Sequence, residues 1–198
     1  MNLRRQFFAT AFLVFFLTGT LCADALYIGF SAGAGNAVTW TVEDTSDAAL
    51  GITAGPLLMF QIPFFAVQAQ VLYALKGGAE NDFDSALRLH YFSTPITAKA
   101  SFELGPVILE PYLGAEVSFL MKASAEVENE STDVTDSFQA TDFGILFGID
   151  LFIEVAEDWY LTVDLRTDTG VVDVAKGGDD PLHTFLFTGS IGFAYTIL

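Results

Sequence analysis

Chemistry in this chain could reside in three sets of titratable side chains. The first is scattered through long apolar stretches: Arg88, Lys99, Glu110, Glu116, Lys122, Asp142, Asp150, Glu154, Asp164, Arg166 and Asp168. The second is crowded into one segment: Glu126, Glu128, Glu130, Asp133 and Asp136. That spacing lacks the central glycine and terminal glutamate of a Ca²⁺ loop, so it reads as a solvated, self-repelling loop. The third is the pair His90 and His183, neither of which has neighbours at metal-ligand spacing. Gly33-Ala34-Gly35 lacks the third glycine and following helix of a dinucleotide site. The two Lys-Gly-Gly stretches, at Lys76 and Lys176, lack the glycine spacing of a phosphate loop and read as turns. We therefore expect no catalytic residue, cofactor or metal ligand. The first set calls for a different explanation.

That explanation begins with residues 107–122, VILEPYLGAEVSFLMK. Every odd position is apolar: Val107, Leu109, Pro111, Leu113, Ala115, Val117, Phe119 and Met121. The charges Glu110, Glu116 and Lys122 all fall on even positions. Only a β-strand sends successive side chains to opposite faces. The stretch exceeds the usual globular strand of about 5–6 residues. It suits a tilted strand crossing a bilayer, which needs about 9–11 residues plus its ends.

The same alternation recurs along the chain, in residues 26–35, 51–62, 65–75, 86–102, 143–154, 159–168 and 185–197. The uncharged run 48–75 is not a membrane helix, because Pro56 and Pro63 would break it. In a helix Gln68 and Gln70 would also diverge, whereas in a strand they share a face. Residues 86–102 change phase, and a β-bulge is expected at Ser93-Thr94-Pro95. Four long acidic connections alternate with three short turns, the longest spanning residues 123–139. The fold expected is all-β, an eight-stranded antiparallel up-and-down transmembrane β-barrel. Strand ends carry Tyr73, Tyr91, Trp159 and Tyr195, expected to form interfacial girdles.

The N-terminal stretch is set apart. Arg4 and Arg5 precede an apolar run, and Ala23-Asp24-Ala25 fits a signal-peptidase site. Residues 1–25 thus read as a signal peptide and residues 26–198 as the barrel. Cys22 is the single cysteine, so no disulfide framework is expected. Lipidation at Cys22 is disfavoured by the bulk of Leu21 before it. The formal charge of −17 argues against nucleic-acid binding. Yet 52% of the chain is hydrophobic, and its mean hydropathy is +0.47. The two populations are compatible if they meet different solvents. On this map no charge lies on the outward face of a strand core, where Arg or Lys at mid-bilayer would cost about 2–4 kcal/mol. The first set then lines the lumen, with Arg88, Lys99, Lys122 and Arg166 bridged by carboxylates. It forms a structural plug or, on the sharper reading, an ion path.

Four stretches, DFGILFGIDLF (142–152), LEPYLGAEVSF (109–119), LTVDLRTDTGVVDV (161–174) and HYFSTPITAKASF (90–102), resemble the small outer-membrane β-barrel domain family, which groups OmpA-type membrane domains with PorT-like proteins. The resemblance implies integration into the outer membrane of a diderm bacterium by the barrel assembly machinery, after periplasmic chaperones have held the chain. Both termini would be periplasmic. The ending Tyr195-Thr196-Ile197-Leu198 departs from the family's terminal aromatic residue. Lipid A deacylase barrels carry a His-x-Ser pair, but here His183 is followed at position 185 by Phe, so the chain is not read as an enzyme. The function expected is structural or surface-interacting, with acidic extracellular loops. The alternative is a narrow channel or conduit for small hydrophobic molecules, in the manner of OmpW. A monomer is expected.

Overall fold

The computed structural model describes residues 24–41, 45–80, 85–127, 130–177 and 180–197. The expected signal peptide and Cys22 lie outside them. The strands are β1 (Ala25–Trp40), β2 (Ala49–Ile62), β3 (Phe65–Gln70), β4 (Leu72–Glu80), β5 (Ser85–Ala100), β6 (Phe102–Leu104), β7 (Val107–Val127), β8 (Glu130–Asp133), β9 (Thr141–Ala156), β10 (Trp159–Gly170) and β11 (His183–Thr196). Eight staves arise because β3 and β4 run in series, as do β5 and β6, while β8 is a short return on β7. Every pairing is antiparallel and joins successive staves. The ring closes where β1 meets β11, in register from Tyr27↔Thr196 to Trp40↔His183.

Alternation decides which face meets which solvent. Phe30, Ile96, Leu113, Phe147, Leu165, Ile191 and Phe193 point outward, each more than half exposed. Their inward neighbours include Thr97, Tyr112, Leu146, Asp164 and Thr162, all buried. A soluble barrel would reverse this, since water on the wall would strand the phenylalanines. The tight turns at one end each hold one residue at positive φ: Phe64, Gly105 and Asp158. Gly105 takes that conformation without cost, whereas the two others bear a Cβ there.

The long-loop end is more built than its composition implies. Residues 123–139 are expected as a loop, but β7 continues to Val127 and β8 pairs back on it, from Ser124↔Asp133 to Val127↔Glu130. A 3-10 turn, Thr135–Ser137, follows. The Thr135 N–H donates to Asp133 Oδ1 at 2.9 Å, which holds that carboxyl below the usual carboxylate range. The turn lies against the loop before β11: Gln139 N–H donates to Val174 O at 2.8 Å, and Lys176 N–H to Ser137 O at 2.9 Å. Phe138 and Val174 drop onto Ala74, Leu89, Tyr91 and Ala123 as one apolar cluster.

That cluster explains two departures from expectation. No bulge occurs at Ser93-Thr94-Pro95, where β5 pairs with β7 in unbroken register from Tyr91↔Leu120 to Lys99↔Tyr112. Leu89 and Tyr91 stay inside because the lid gives them an apolar partner, so no phase change is needed. Tyr91 is therefore fully buried and is not an interfacial aromatic. Tyr73, Trp159 and Tyr195 do face outward, and the last two rings sit 5.2 Å apart. The register shift falls instead between His90↔Lys122 and Tyr91↔Leu120, which leaves Met121 as the extra residue.

Candidate functional site

The alternation that turns the phenylalanines outward turns a column of charges inward. Lys76 of β4 is 2% exposed. Its Nζ lies 2.9 Å from Glu116 Oε1, 2.5 Å from Asp168 Oδ2 and 3.6 Å from Asp142 Oδ2. Those carboxylates come from β7, β10 and β9, so one ammonium ties four staves across the lumen. Ser118 Oγ donates to Glu116 at 2.6 Å, and Thr184 Oγ1 donates to Asp142 Oδ2 at 2.8 Å. Gly170 makes room for this arrangement, because a Cβ there would stand 3.1 Å from Asp142 Oδ1 and 2.5 Å from Thr184 Oγ1. The Tyr91 ring, 5.6 Å from Nζ, forms the ceiling.

Two further knots lie toward the short-turn end. Lys99 Nζ of β5 contacts Asp150 Oδ2 at 2.7 Å and Glu110 Oε2 at 3.1 Å, over the ring of Phe152. Ser101 Oγ donates to the other oxygen of Glu110 at 2.7 Å. Arg166 Nη2 of β10 donates to Gln70 Oε1 at 2.6 Å and pairs with Asp164 Oδ2 at 3.2 Å. Arg166 Nε donates to Tyr112 OH at 3.2 Å, and that hydroxyl donates to Asp164 Oδ1 at 2.6 Å. The column thus sets Lys76, Lys99 and Arg166 against Glu110, Glu116, Asp142, Asp150, Asp164 and Asp168. All nine are buried. Partnering offsets the large cost of taking each charge out of water.

Three residues expected in this network stand apart from it. Glu154 keeps the inward phase but lies exposed at the short-turn mouth, lining a cavity of about 340 Å³ with Tyr27, Gln61 and Tyr160. Arg88 pairs with Glu126 at 2.9 Å, and both side chains are more than a third exposed. Lys122 is exposed, because the extra residue at Met121 reverses the phase of β7 there. Sequence reasoning undervalues Lys76. Its even phase continues through Gln68 and Gln70, but the adjoining Gly77-Gly78 makes the stretch read as a turn. It also misses Tyr112 and the hydroxyls of Ser101, Ser118 and Thr184, since an uncharged inward residue carries no special signal.

Among the described residues no cluster of His, Cys, Asp and Glu has the geometry to hold a metal ion. No described helix is long and apolar enough to cross a membrane, a statement that does not bear on strands.

The family model for the outer membrane protein beta-barrel domain matches residues 8–195. No curated protein matches the chain. Among solved structures, Neisserial surface protein A is 17% identical, with a TM-score of 0.52 over 86% of this chain and 96% of its own. A major outer membrane protein from Thermus thermophilus is 12% identical, with a TM-score of 0.49 over 87% and 99%. Ail, the attachment invasion locus protein of Yersinia pestis, in complex with the heparin analogue sucrose octasulfate, is 15% identical, with a TM-score of 0.43 over 87% and 99%. At such identities the likeness is one of fold.

Proposed function

Because the chain belongs to the outer membrane protein beta-barrel domain family, and so is an integral outer-membrane barrel, we propose that it works from its loops while its lumen serves as a plug. One observation carries this reading: Lys76, 2% exposed, is clasped by carboxylates from three other staves. Below it the Lys99 and Arg166 knots occupy the same bore, and above it Phe138 and Val174 cover Tyr91. An eight-stranded ring encloses just enough room for side chains to fill. A permeating ion would have to part buried ion pairs, which costs several kcal/mol at each knot.

The long loops face outward and the short turns face the periplasm, as short periplasmic turns and longer external loops do in such barrels. The acidic segment is then presented at the surface, with Glu130 and Asp133 on the β7–β8 hairpin and Asp136 on the 3-10 turn after it. The protein acts as a structural or surface-interacting barrel and performs no catalysis. Planar bilayers decide between this reading and a conduit. The purified, folded protein is expected to give no discrete single-channel steps, and regular steps from the parent chain would overturn the plug. A cysteine placed at Lys176 should react with a membrane-impermeant maleimide on intact cells, and protection there would reverse the orientation.

A further inference from the structure

Basic residues are scarce in this chain: 8 Lys and Arg against 25 Asp and Glu. Three of them, Lys76, Lys99 and Arg166, are buried in the lumen, and Lys176 belongs to the loop before β11. The described residues include just two more, Arg88 and Lys122, and both lie on the outside of the wall on the paired strands β5 and β7. His90 stands between them, as the Cα partner of Lys122 and two residues from Arg88. Tyr73 of β4 reaches the same place, with its hydroxyl hydrogen-bonded to His90 Nδ1 at 2.7 Å.

The height of this group along the wall is fixed by the sequence around it. Toward the short turns the next outward residues are Phe92 on β5 and Phe119 on β7, a Cα pair that is 42% and 46% exposed. Toward the loops come Ser124 and then Glu126, which pairs with Arg88 through its Nη2. The group thus sits where the apolar band ends, flanked by a girdle tyrosine. The register shift is what brings Lys122 there. Leu120 and Ala123 both face the apolar cluster inside, so Met121 and Lys122 bulge outward together. A strand continuing in its earlier phase would have aimed Lys122 into the lumen.

We propose that Arg88 and Lys122, with His90 and Tyr73 beside them, form a docking site for a phosphate-bearing lipid headgroup of the outer leaflet, whose acyl chains lie against Phe92 and Phe119. Arginine and lysine are the residues that meet phosphate oxygens, Arg as a fork of donors and Lys as a point charge. The ion pair with Glu126 engages Nη2 of the guanidinium, and Nε is buried without a partner, so a phosphate oxygen would meet the outer edge of the fork. Asp133, which feels the charge of Lys122, and Glu126 repel anions approaching from the loop side. A ligand anchored in the membrane approaches from below and avoids them.

The inference depends on the outward placement of the long loops, which maleimide labelling at Lys176 tests separately. The experiment uses the full folded protein in zwitterionic detergent and native mass spectrometry. The probes are bis-phosphorylated lipid A, the same lipid stripped of both phosphates, and inorganic phosphate. The parent should retain the phosphorylated lipid and neither of the others. R88A/K122A should bind it about 25-fold more weakly, the product of about fivefold for each cation near a membrane surface. K176A, whose cation lies in a loop, should bind as the parent does. Each variant is checked for heat-modifiable migration, so that loss of binding is read only from folded protein. Equal retention of the phosphate-free lipid, or parent-like affinity in folded R88A/K122A, would overturn the site. Retention of inorganic phosphate at the same affinity would make it an anion site with no lipid component, and would overturn it as well.

Discussion

Replacing Lys76 by methionine tests the column at its most connected point. Methionine keeps the length and apolar stem of lysine but removes the charge that Glu116, Asp142 and Asp168 share within 3.6 Å. Removing one partner of a buried pair costs about 3–5 kcal/mol, because the other charge is left uncompensated. The lumen has one escape, which is to take up a proton in place of the ammonium. Folding with one carboxyl kept protonated costs about 1.4 kcal/mol for each pH unit above the unfolded chain's carboxyl pKa of about 4, so about 4 kcal/mol at pH 7 and about 1.4 kcal/mol at pH 5. K76M should therefore lose about 4 kcal/mol against the parent at pH 7 and less than about 2 kcal/mol at pH 5. Urea unfolding from lipid vesicles, followed by the fluorescence of Trp40 and Trp159, reads both numbers. A loss of equal size at the two pH values would refute proton substitution. A variant as stable as the parent at pH 7 would refute the clasp itself.

Phe147, outward and mid-strand on β9, should tolerate arginine poorly. F147R is expected to lose about 2–4 kcal/mol in the same vesicle assay, and a neutral result would mean that this face does not meet hydrocarbon. Phe138 belongs to the lid and not to a stave, so F138A should speed amide exchange at Gln139 and Lys176 while the barrel's unfolding midpoint stays put; a large drop in the midpoint would show that the lid and the ring unfold together. The carboxyl of Asp133 is held below its ordinary range by the Thr135 N–H. A depressed folded-state pKa means that its contribution is present above the unfolded value and is lost as pH falls through the folded one. Amide exchange at Thr135 should accordingly quicken in acid, below the usual carboxylate range, in the parent and not in D133A. A pH-independent difference between the two would sink that assignment.

The barrel is legible because alternation is a strict signal once both faces have distinct solvents. From Val107 to Phe119 every odd position is apolar and every charge is even, and from Glu110 onward the wall follows the alternation. Legibility fails where the rule changes. At the loop end the interior turns apolar, so Leu89 and Tyr91 look like wall residues and suggest a phase change that β5 does not make. The bulge at Met121 is equally hidden, since Leu120, Met121 and Ala123 are all apolar and do not reveal which of them is supernumerary. Pattern alone consequently sends Arg88 and Lys122 to the lumen. The partners within the column depend on which staves face one another across the bore. Lys76 reaches Glu116 over 40 positions of sequence and Lys99 reaches Asp150 over 51. No local pattern encodes such a meeting.

The seam between β1 and β11 has a consequence for how the protein must be made. Each other stave can zip onto the one that left the ribosome just before it, but Tyr27 waits for Thr196, nearly the whole length of the chain later. Until the last strand arrives, both margins of the sheet offer unpaired amides to any passing strand. A message cut short by a dozen codons would therefore yield an open curl with two adhesive borders, and cells carrying such a message should accumulate tangles instead of a slightly shorter cylinder.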